Sequence, residues 1–252
     1  MEEMIFSIIF GLYGIVIGSF LNVLILRIPI KESFTLKRSH CMSCGHTLAW
    51  YDLFPLFSYI FLGGKCRYCK THISCQYPIV EGLNGLLYIG IYLANGFTIK
   101  TILYCLAASA LLSLSVIDWR TKIIPLGFNI FILLLGLIRL LTDLSHWSQY
   151  VIGLFAVSGF LLLLIIITKG RGMGDGDMKL MAATGLLLGW KLNIIAFLLG
   201  CIIGSIIHLS LMAIKKAGRE LAFGPYLSVG IYIAMIWGEQ LLSWYLSMWA
   251  FV

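Results

Sequence analysis

Long apolar runs recur along almost the whole chain, and they constrain its fold more than any other feature. Eight such runs fit membrane helices, at about residues 4–26, 78–95, 101–117, 123–141, 150–168, 180–190, 192–214 and 223–249. A helix needs about 20 apolar residues to cross a hydrocarbon core of about 30 Å, so the run at 180–190 is short. Hydrophobic residues are 60% of the chain, more than the polar surface of a soluble domain could cover. The sequence therefore predicts an all-α polytopic membrane protein with about eight transmembrane helices.

The positions of the basic residues predict the orientation of these helices. Segments 27–77, 118–122, 169–179 and 215–219 hold 7, 2, 3 and 3 of the 18 Lys and Arg residues. Because Lys and Arg favour the cytoplasmic side, these segments are expected there and the N-terminus outside. Only Lys100, Arg139 and Lys191 fall on or near the other side. The net charge of +7 is thus a signal of topology, and no nucleic-acid partner is expected.

The loop after the first apolar run contains two pairs of cysteines. Cys41 and Cys44 form one C-x2-C pair, and Cys66 and Cys69 form another. Two such pairs predict a Zn²⁺ ion held by four thiolates, in a closed structural site that orders a loop without a large core. Redox or catalytic cysteines are the alternative, although disulfides are unusual on the cytoplasmic side.

Three aspartates are expected at one membrane face. Asp118 ends the third apolar run, and Asp175 and Asp177 precede the sixth, in KGRGMGDGDMKL (residues 169–180). Carboxylates at such a depth are often functional, because their desolvation must be offset. The alternative is that each caps a helix or forms an ion pair, Asp118 with Arg120 and Asp177 with Lys179.

The glycines of GDGD (residues 174–177) predict a flexible, non-helical strip beside these carboxylates. Such a strip is tolerated at the membrane edge only where it lines a watery cavity or is buried in protein. Two carboxylates within about 3–6 Å share a proton, so that one acts as a base on water and the other as an acid. The pattern therefore predicts peptide hydrolysis by an aspartic dyad.

Four motifs follow the order and spacing of the type IV prepilin peptidases. GDGD followed by MKL resembles the GxGD motif of that family, and DWRTKIIP (residues 118–125) resembles its first-aspartate motif. GSFLNVLILRIP (residues 18–29) and FGPYL (residues 223–227) match as well. The resemblance implies that Asp118 and Asp177 are catalytic. The accessory residues near the site are then Gly174, Asp175, Gly176 and Lys179.

The same resemblance implies the substrate and the location. It implies a membrane aspartic endopeptidase of the bacterial inner (plasma) membrane. Its partners would be type IV prepilin or pseudopilin precursors, from which it removes a short basic leader at the cytoplasmic face.

The cysteine loop resembles the long form of this family, in which a second activity methylates the new N-terminus. The implied methyl donor is S-adenosylmethionine, and the implied donor-site residues are Glu81, Asp52 and Lys65. The chain has no glycine-rich dinucleotide fingerprint, and Glu81 could equally be a first-turn carboxylate favoured by the helix dipole. The organisation that the resemblance implies is a first helix at 1–26, a cysteine-rich loop at 27–78 as the candidate methyltransferase region, and the peptidase domain at 79–252.

A proton-coupled transporter is the main alternative function, because such carriers also place carboxylates beside broken helices. Their sites tend to lie near the bilayer midplane, and their folds often repeat internally. The chain shows no internal repeat, and its aspartates are expected near one face, so the peptidase is favoured.

Overall fold

The computed structural model describes residues 1–33, 38–170, 174–214 and 222–249. These parts are helical and contain no β-strand, apart from two isolated bridges in the cysteine loop. Two short 3-10 helices occupy Trp50–Leu53 and Leu144–His146. The α-helices are α1 (Glu2–Arg27), α2 (Phe57–Phe61), α3 (Gln76–Asn95), α4 (Ile99–Thr121), α5 (Leu126–Thr142), α6 (Trp147–Ile167), α7 (Asp175–Leu188), α8 (Trp190–Ala213) and α9 (Gly224–Trp249).

Each predicted apolar run falls largely on one helix, α1 or one of α3 to α9. Within the described ranges, four stretches are long and apolar enough to cross a membrane: Glu2–Arg27, Ile99–Thr121, Leu144–Ile167 and Trp190–Ala213. Large apolar side chains such as Phe155 and Ile206 stay more than 60% exposed, as expected of helices that face lipid. The prediction of an all-α, multi-pass membrane protein is confirmed, and the number of eight crossings stays a prediction.

The first compact unit, Met1–Phe97, is built on the packing of α1 against α3. Glycines on α1 let the two backbones approach closely, since a Cβ on Gly18 would lie 2.7 Å from the Cα of Glu81. The Asn84 amide donates a hydrogen bond of 2.7 Å to the carbonyl of Gly14. This packing buries the polar groups of both helices away from lipid and fixes the start of α3, where the cysteine loop returns.

The second compact unit, Thr98–Val252, contains α4 to α9 and has α7 in its interior. Leu180, Met181 and Leu187 of α7 are fully buried. Gly153 of α6 meets Gly185 of α7 so closely that a side chain on either would collide with the opposing backbone. α7 is therefore a short, enclosed helix whose N-terminal turn is held in place by its neighbours.

The boundary between these units falls at residues 97 and 98. The predicted functional boundary at residue 79 lies inside α3, which belongs to the first unit. The assignment of 79–252 to the peptidase stays a prediction.

Candidate active site

Asp118 lies near the C-terminal end of α4 and is 4% exposed. Its Oδ2 atom accepts a hydrogen bond of 2.9 Å from the backbone N–H of Gly224, the first residue of α9. A Cβ on Gly224 would lie 2.8 Å from the same oxygen. The glycine of FGPYL thus lets the α9 backbone approach the carboxylate and fix its orientation.

Asp177 lies in the first turn of α7 and is 9% exposed. Its carboxylate accepts a hydrogen bond from the backbone of Gly174, and the charge of Asp118 acts on it directly. The two carboxylates are therefore electrostatic neighbours although 59 positions separate them in the sequence. The structure brings together the pair that the sequence predicted to be catalytic, and their catalytic role stays a prediction.

The expected flexible strip at GDGD is largely wrong. Gly174 is extended, with φ −73° and ψ 145°, but Asp175, Gly176 and Asp177 are helical and form the first turn of α7. Carboxylates are favoured there because the helix dipole and the unpaired N–H groups are positive at that end. Gly172 and the segment 215–219 lie outside the described residues.

Asp175 and Asp177 have different environments. Asp175 forms a salt bridge of 2.6 Å with Lys179, and their side chains are 68% and 42% exposed. Lys179 therefore pairs with Asp175, whereas the sequence had offered Asp177 as its alternative partner. A solvated pair of this kind contributes little to stability, which leaves Asp177 as the enclosed carboxylate of this turn.

Sequence reasoning missed Asn129 of α5, which is 4% exposed. Its Nδ2 atom donates a hydrogen bond of 3.4 Å to the carbonyl of Gly176, between the two aspartates of α7. Its Oδ1 atom is buried and has no hydrogen-bond partner among the described residues. A lone amide in the apolar first half of α5 is the signal that could have identified it.

The four cysteines converge as predicted. The thiol sulfurs of Cys41, Cys44, Cys66 and Cys69 all lie within 4.8 Å of one another, and those of Cys41 and Cys69 are 3.8 Å apart. Tetrahedral Zn–S bonds of about 2.3 Å place ligand sulfurs about 3.8 Å apart, so this donor set fits zinc.

Two similar turns carry the cysteine pairs. In each turn, the carbonyl of the first cysteine accepts a hydrogen bond from the N–H of the residue four positions later, which has a positive φ. The N–H of the same cysteine donates a hydrogen bond to the carbonyl of the residue five positions later. The bonds are Gly45 N–H to Cys41 O, Cys41 N–H to His46 O, Lys70 N–H to Cys66 O and Cys66 N–H to Thr71 O, each 2.9 to 3.0 Å. Hydrogen bonding with the Thr71 side chain and backbone lowers the pKa of Cys69 to about 6, which favours the thiolate form of this one cysteine.

The residues implied for a methyl-donor site each make separate contacts. Asp52 makes a salt bridge of 2.7 Å with Arg67, which raises the pKa of the Arg67 guanidinium, and accepts from the Tyr68 hydroxyl. Lys65 is exposed on the edge of the second cysteine turn. Among the described residues, Asp52, Lys65 and Glu81 make no hydrogen bond or ion pair with one another.

Glu81 is a buried carboxylate in the second turn of α3, and not in the first turn as the alternative had assumed. It accepts a hydrogen bond of 2.8 Å from the backbone N–H of Leu56 and another from the Ser19 hydroxyl. The first-turn dipole explanation for this residue is therefore wrong. Glu81 joins the cysteine loop to α1 and α3.

Comparison with known proteins gives matches to both units. Residues 12–95 match the family described as Bacterial Peptidase A24 N-terminal domain, and residues 105–209 match the Type IV leader peptidase family. Curated relatives called Prepilin leader peptidase/N-methyltransferase include proteins of Aeromonas salmonicida strain A449 (32% identical, over 96% of this chain and 94% of the relative) and Bacillus subtilis strain 168 (32%, 96% and 98%). That of Pseudomonas aeruginosa is 31% identical, over 94% of this chain and 92% of the relative. No solved structure matches the chain significantly.

Proposed function

This chain belongs to the type IV leader peptidase family, and we propose that Asp118 and Asp177 are its catalytic pair. The observation that carries the proposal is the enclosure of these two carboxylates beside each other, each held by a glycine backbone N–H. Two enclosed carboxylates that have no basic partner among the described residues favour a shared proton over two full charges. Aspartic peptide hydrolysis needs this charge state.

The pair divides the work of hydrolysis. The ionised carboxylate takes a proton from a water molecule, which attacks the carbonyl carbon of the scissile peptide bond. The protonated carboxyl donates its proton to the carbonyl oxygen, and the leaving amine is protonated as the bond breaks. Gly224 and Gly174 hold the carboxylates with backbone N–H groups, so their geometry does not depend on long, mobile side chains.

The substrate is a type IV prepilin or pseudopilin precursor, cut at the cytoplasmic face of the bacterial inner membrane. The positive-inside distribution supports an outside N-terminus, about eight membrane crossings and this face for the aspartates. A short basic leader suits the same side, because its own charges resist translocation. A glycine at the scissile bond would ease local unwinding of the substrate helix, by about 1 kcal/mol relative to alanine.

A second activity, N-methylation of the new N-terminus, is supported by the names of the relatives. S-adenosylmethionine would supply the methyl group when bound. Its sulfonium is cationic, and the buried carboxylate of Glu81 fits such a charge, with Asp52 and Lys65 as further candidates from the loop. Four thiolates, from Cys41, Cys44, Cys66 and Cys69, would hold one structural Zn²⁺ and tie the two cysteine turns together.

A transporter is not favoured, because relatives that match nearly the full length of this chain are named as peptidases.

The test is incubation of the purified protein with a peptide that carries a basic leader, a glycine at the scissile point and an apolar segment. Mass spectrometry should show cleavage after the leader and, with donor present, an addition of roughly 14 Da for one methyl group. A second peptide, with its scissile bond several residues deeper in the apolar segment, should remain intact. Equal cleavage of the deeper bond, or cleavage from the outer face, would contradict a site at the membrane edge.

A further inference from the structure

A polar cavity of about 280 Å³ lies at the end of the second unit opposite to the aspartates. Lys100 lines it at the start of α4, and a rise of 1.5 Å per residue places it about 27 Å along the helix from Asp118. Arg139 and Lys191 line the same cavity. These are the three basic residues that lie outside the predicted cytoplasmic segments, so every exception to the positive-inside bias meets at one place.

The acidic residues of the cavity satisfy only part of this charge. Asp143 accepts from Arg139 at 3.3 Å and from the Tyr150 hydroxyl at 2.7 Å. Its contact with His146, followed by the contacts with Tyr150 and Ser145, holds its pKa well below the usual range, so it remains an anion. The Nε atom of Arg139 is nevertheless buried without an acceptor among the described residues.

Of the two lysines of the cavity, only Lys100 contacts a carboxylate among the described residues. Lys100 reaches Glu239 at 3.4 Å, although the Glu239 side chain is 75% exposed. Lys191 packs over the Trp190 ring, with its nitrogen 5.6 Å from the ring centroid, and has no carboxylate partner in the described ranges. One ammonium group is thus left to bind an anion, beside a partly exposed guanidinium that Asp143 contacts through a single nitrogen.

The N-terminus of α8 adds to this potential. Gly189, its N-cap residue, lines the cavity and supplies no side-chain cap to the first turn. The positive end of the helix dipole therefore points at the cavity, as in many phosphate sites.

We propose that this cavity binds the phosphate group of a phospholipid headgroup. Guanidinium and ammonium groups together suit a tetrahedral oxyanion such as the singly charged phosphodiester of a phospholipid. The cavity lies where the apolar helices α4 and α8 begin, the depth at which headgroups meet a membrane protein. Trp147 is 57% exposed and Trp190 flanks Lys191, as expected of aromatic residues at a membrane interface.

The test measures lipid binding to the full-length protein, freed of lipid in detergent, by native mass spectrometry. Three probes separate the possible sources: dihexanoyl phosphatidylglycerol, dihexanoylglycerol without a phosphate, and inorganic phosphate as a competitor. We expect one phosphatidylglycerol per chain, much weaker binding of dihexanoylglycerol, and no displacement by millimolar phosphate.

Lys191→Gln and Arg139→Gln should each weaken phosphatidylglycerol binding about tenfold, the loss of one charge-assisted contact. Lys169→Gln removes one exposed charge from the far end of α6 and is the matched control, with binding unchanged. Because Lys191 is exposed, its variant keeps the test valid even if Arg139→Gln does not fold. Equal binding of both lipids, or equal binding by all variants, would overturn the proposal. Displacement by inorganic phosphate would show that the cavity binds free phosphate and not the phosphate of a lipid headgroup.

Discussion

The cysteine cluster and the aspartate pair hold their reactive groups in opposite ways. The cysteines lie in two short turns near the surface of the first unit, and only Cys66 among them is buried. The aspartates lie in the second unit on separate helices, both less than 10% exposed, and backbone N–H groups orient them. Local hydrogen bonds thus build the first site, while helix packing builds the second. We infer that the two sites fail independently.

The largest effect is expected from Asp118→Asn. The amide keeps the shape of the side chain but cannot exchange the proton that the pair needs, so cleavage should fall about 10²–10⁴-fold. Because the two sites are expected to fail independently, this variant should still insert in the membrane and keep its zinc. Peptide cleavage followed by mass spectrometry, beside metal analysis of the same sample, measures both. Parallel loss of zinc and cleavage would show that the sites are coupled.

Gly224→Ala should come next. Its new methyl group would meet Asp118 Oδ2 at 2.8 Å, so the carboxylate or the start of α9 must move. A displacement of about 1 Å in an active site can cost 10²-fold, and a loss of roughly 10- to 100-fold in cleavage rate is expected. Gly127→Ala is the matched control, because nothing lies within 4 Å of its added methyl group. Similar rates for the two variants would contradict the role given to Gly224.

Cys41→Ser should affect the first unit far more than cleavage. Wild-type protein is expected to contain about one zinc ion per chain, and a site with three thiolates should bind it much more weakly. The loop should become more sensitive to limited proteolysis, while cleavage changes only a few-fold. Cys75→Ser, which removes an exposed cysteine outside the cluster, should retain its zinc. Folded wild-type protein that contains no metal, with all four cysteines of the cluster as free thiols, would rule out the zinc site.

The smallest effect on cleavage is expected from Glu81→Gln. The amide preserves the volume beside Leu56 and Ser19 but removes the negative charge that suits a sulfonium. Methylation of a peptide that has already been cleaved should fall about tenfold, a loss of about 1.4 kcal/mol. Cleavage of the precursor should stay near the wild-type rate. A cleavage defect as large as the methylation defect would remove Glu81 from the proposed donor site.

The sequence alone predicted the features that depend on local pattern. Apolar runs placed the long helices, and the spacing of Cys41, Cys44, Cys66 and Cys69 predicted their convergence. Asp118 and Asp177 could be paired only because basic residues predicted a common membrane side and because the motifs resembled those of a family. Their proximity is confirmed, although GDGD begins a helix where a flexible strip was expected.

Other parts of the aspartate site depend on three-dimensional packing and leave little trace in a single sequence. No local rule predicts that the Gly224 N–H donates to Asp118, or that Asn129 reaches the Gly176 carbonyl, since 106 and 47 positions separate these partners. The convergence of Lys100, Arg139 and Lys191 on one cavity could not be predicted either. In the sequence, each of these residues is only a single charge at the end of an apolar run.

The comparison of Asp175→Asn with Asp177→Asn tests the central claim most directly, because the two residues share one helical turn and differ in environment. Asp175 is solvated and paired with Lys179, whereas Asp177 is enclosed beside Asp118. The measurement is the cleavage rate of one leader-bearing peptide by the two purified variants, read by mass spectrometry. We predict that Asp177→Asn loses as much cleavage as Asp118→Asn and that Asp175→Asn retains substantial cleavage. An active Asp177→Asn with an inactive Asp175→Asn would contradict the assignment of the catalytic pair.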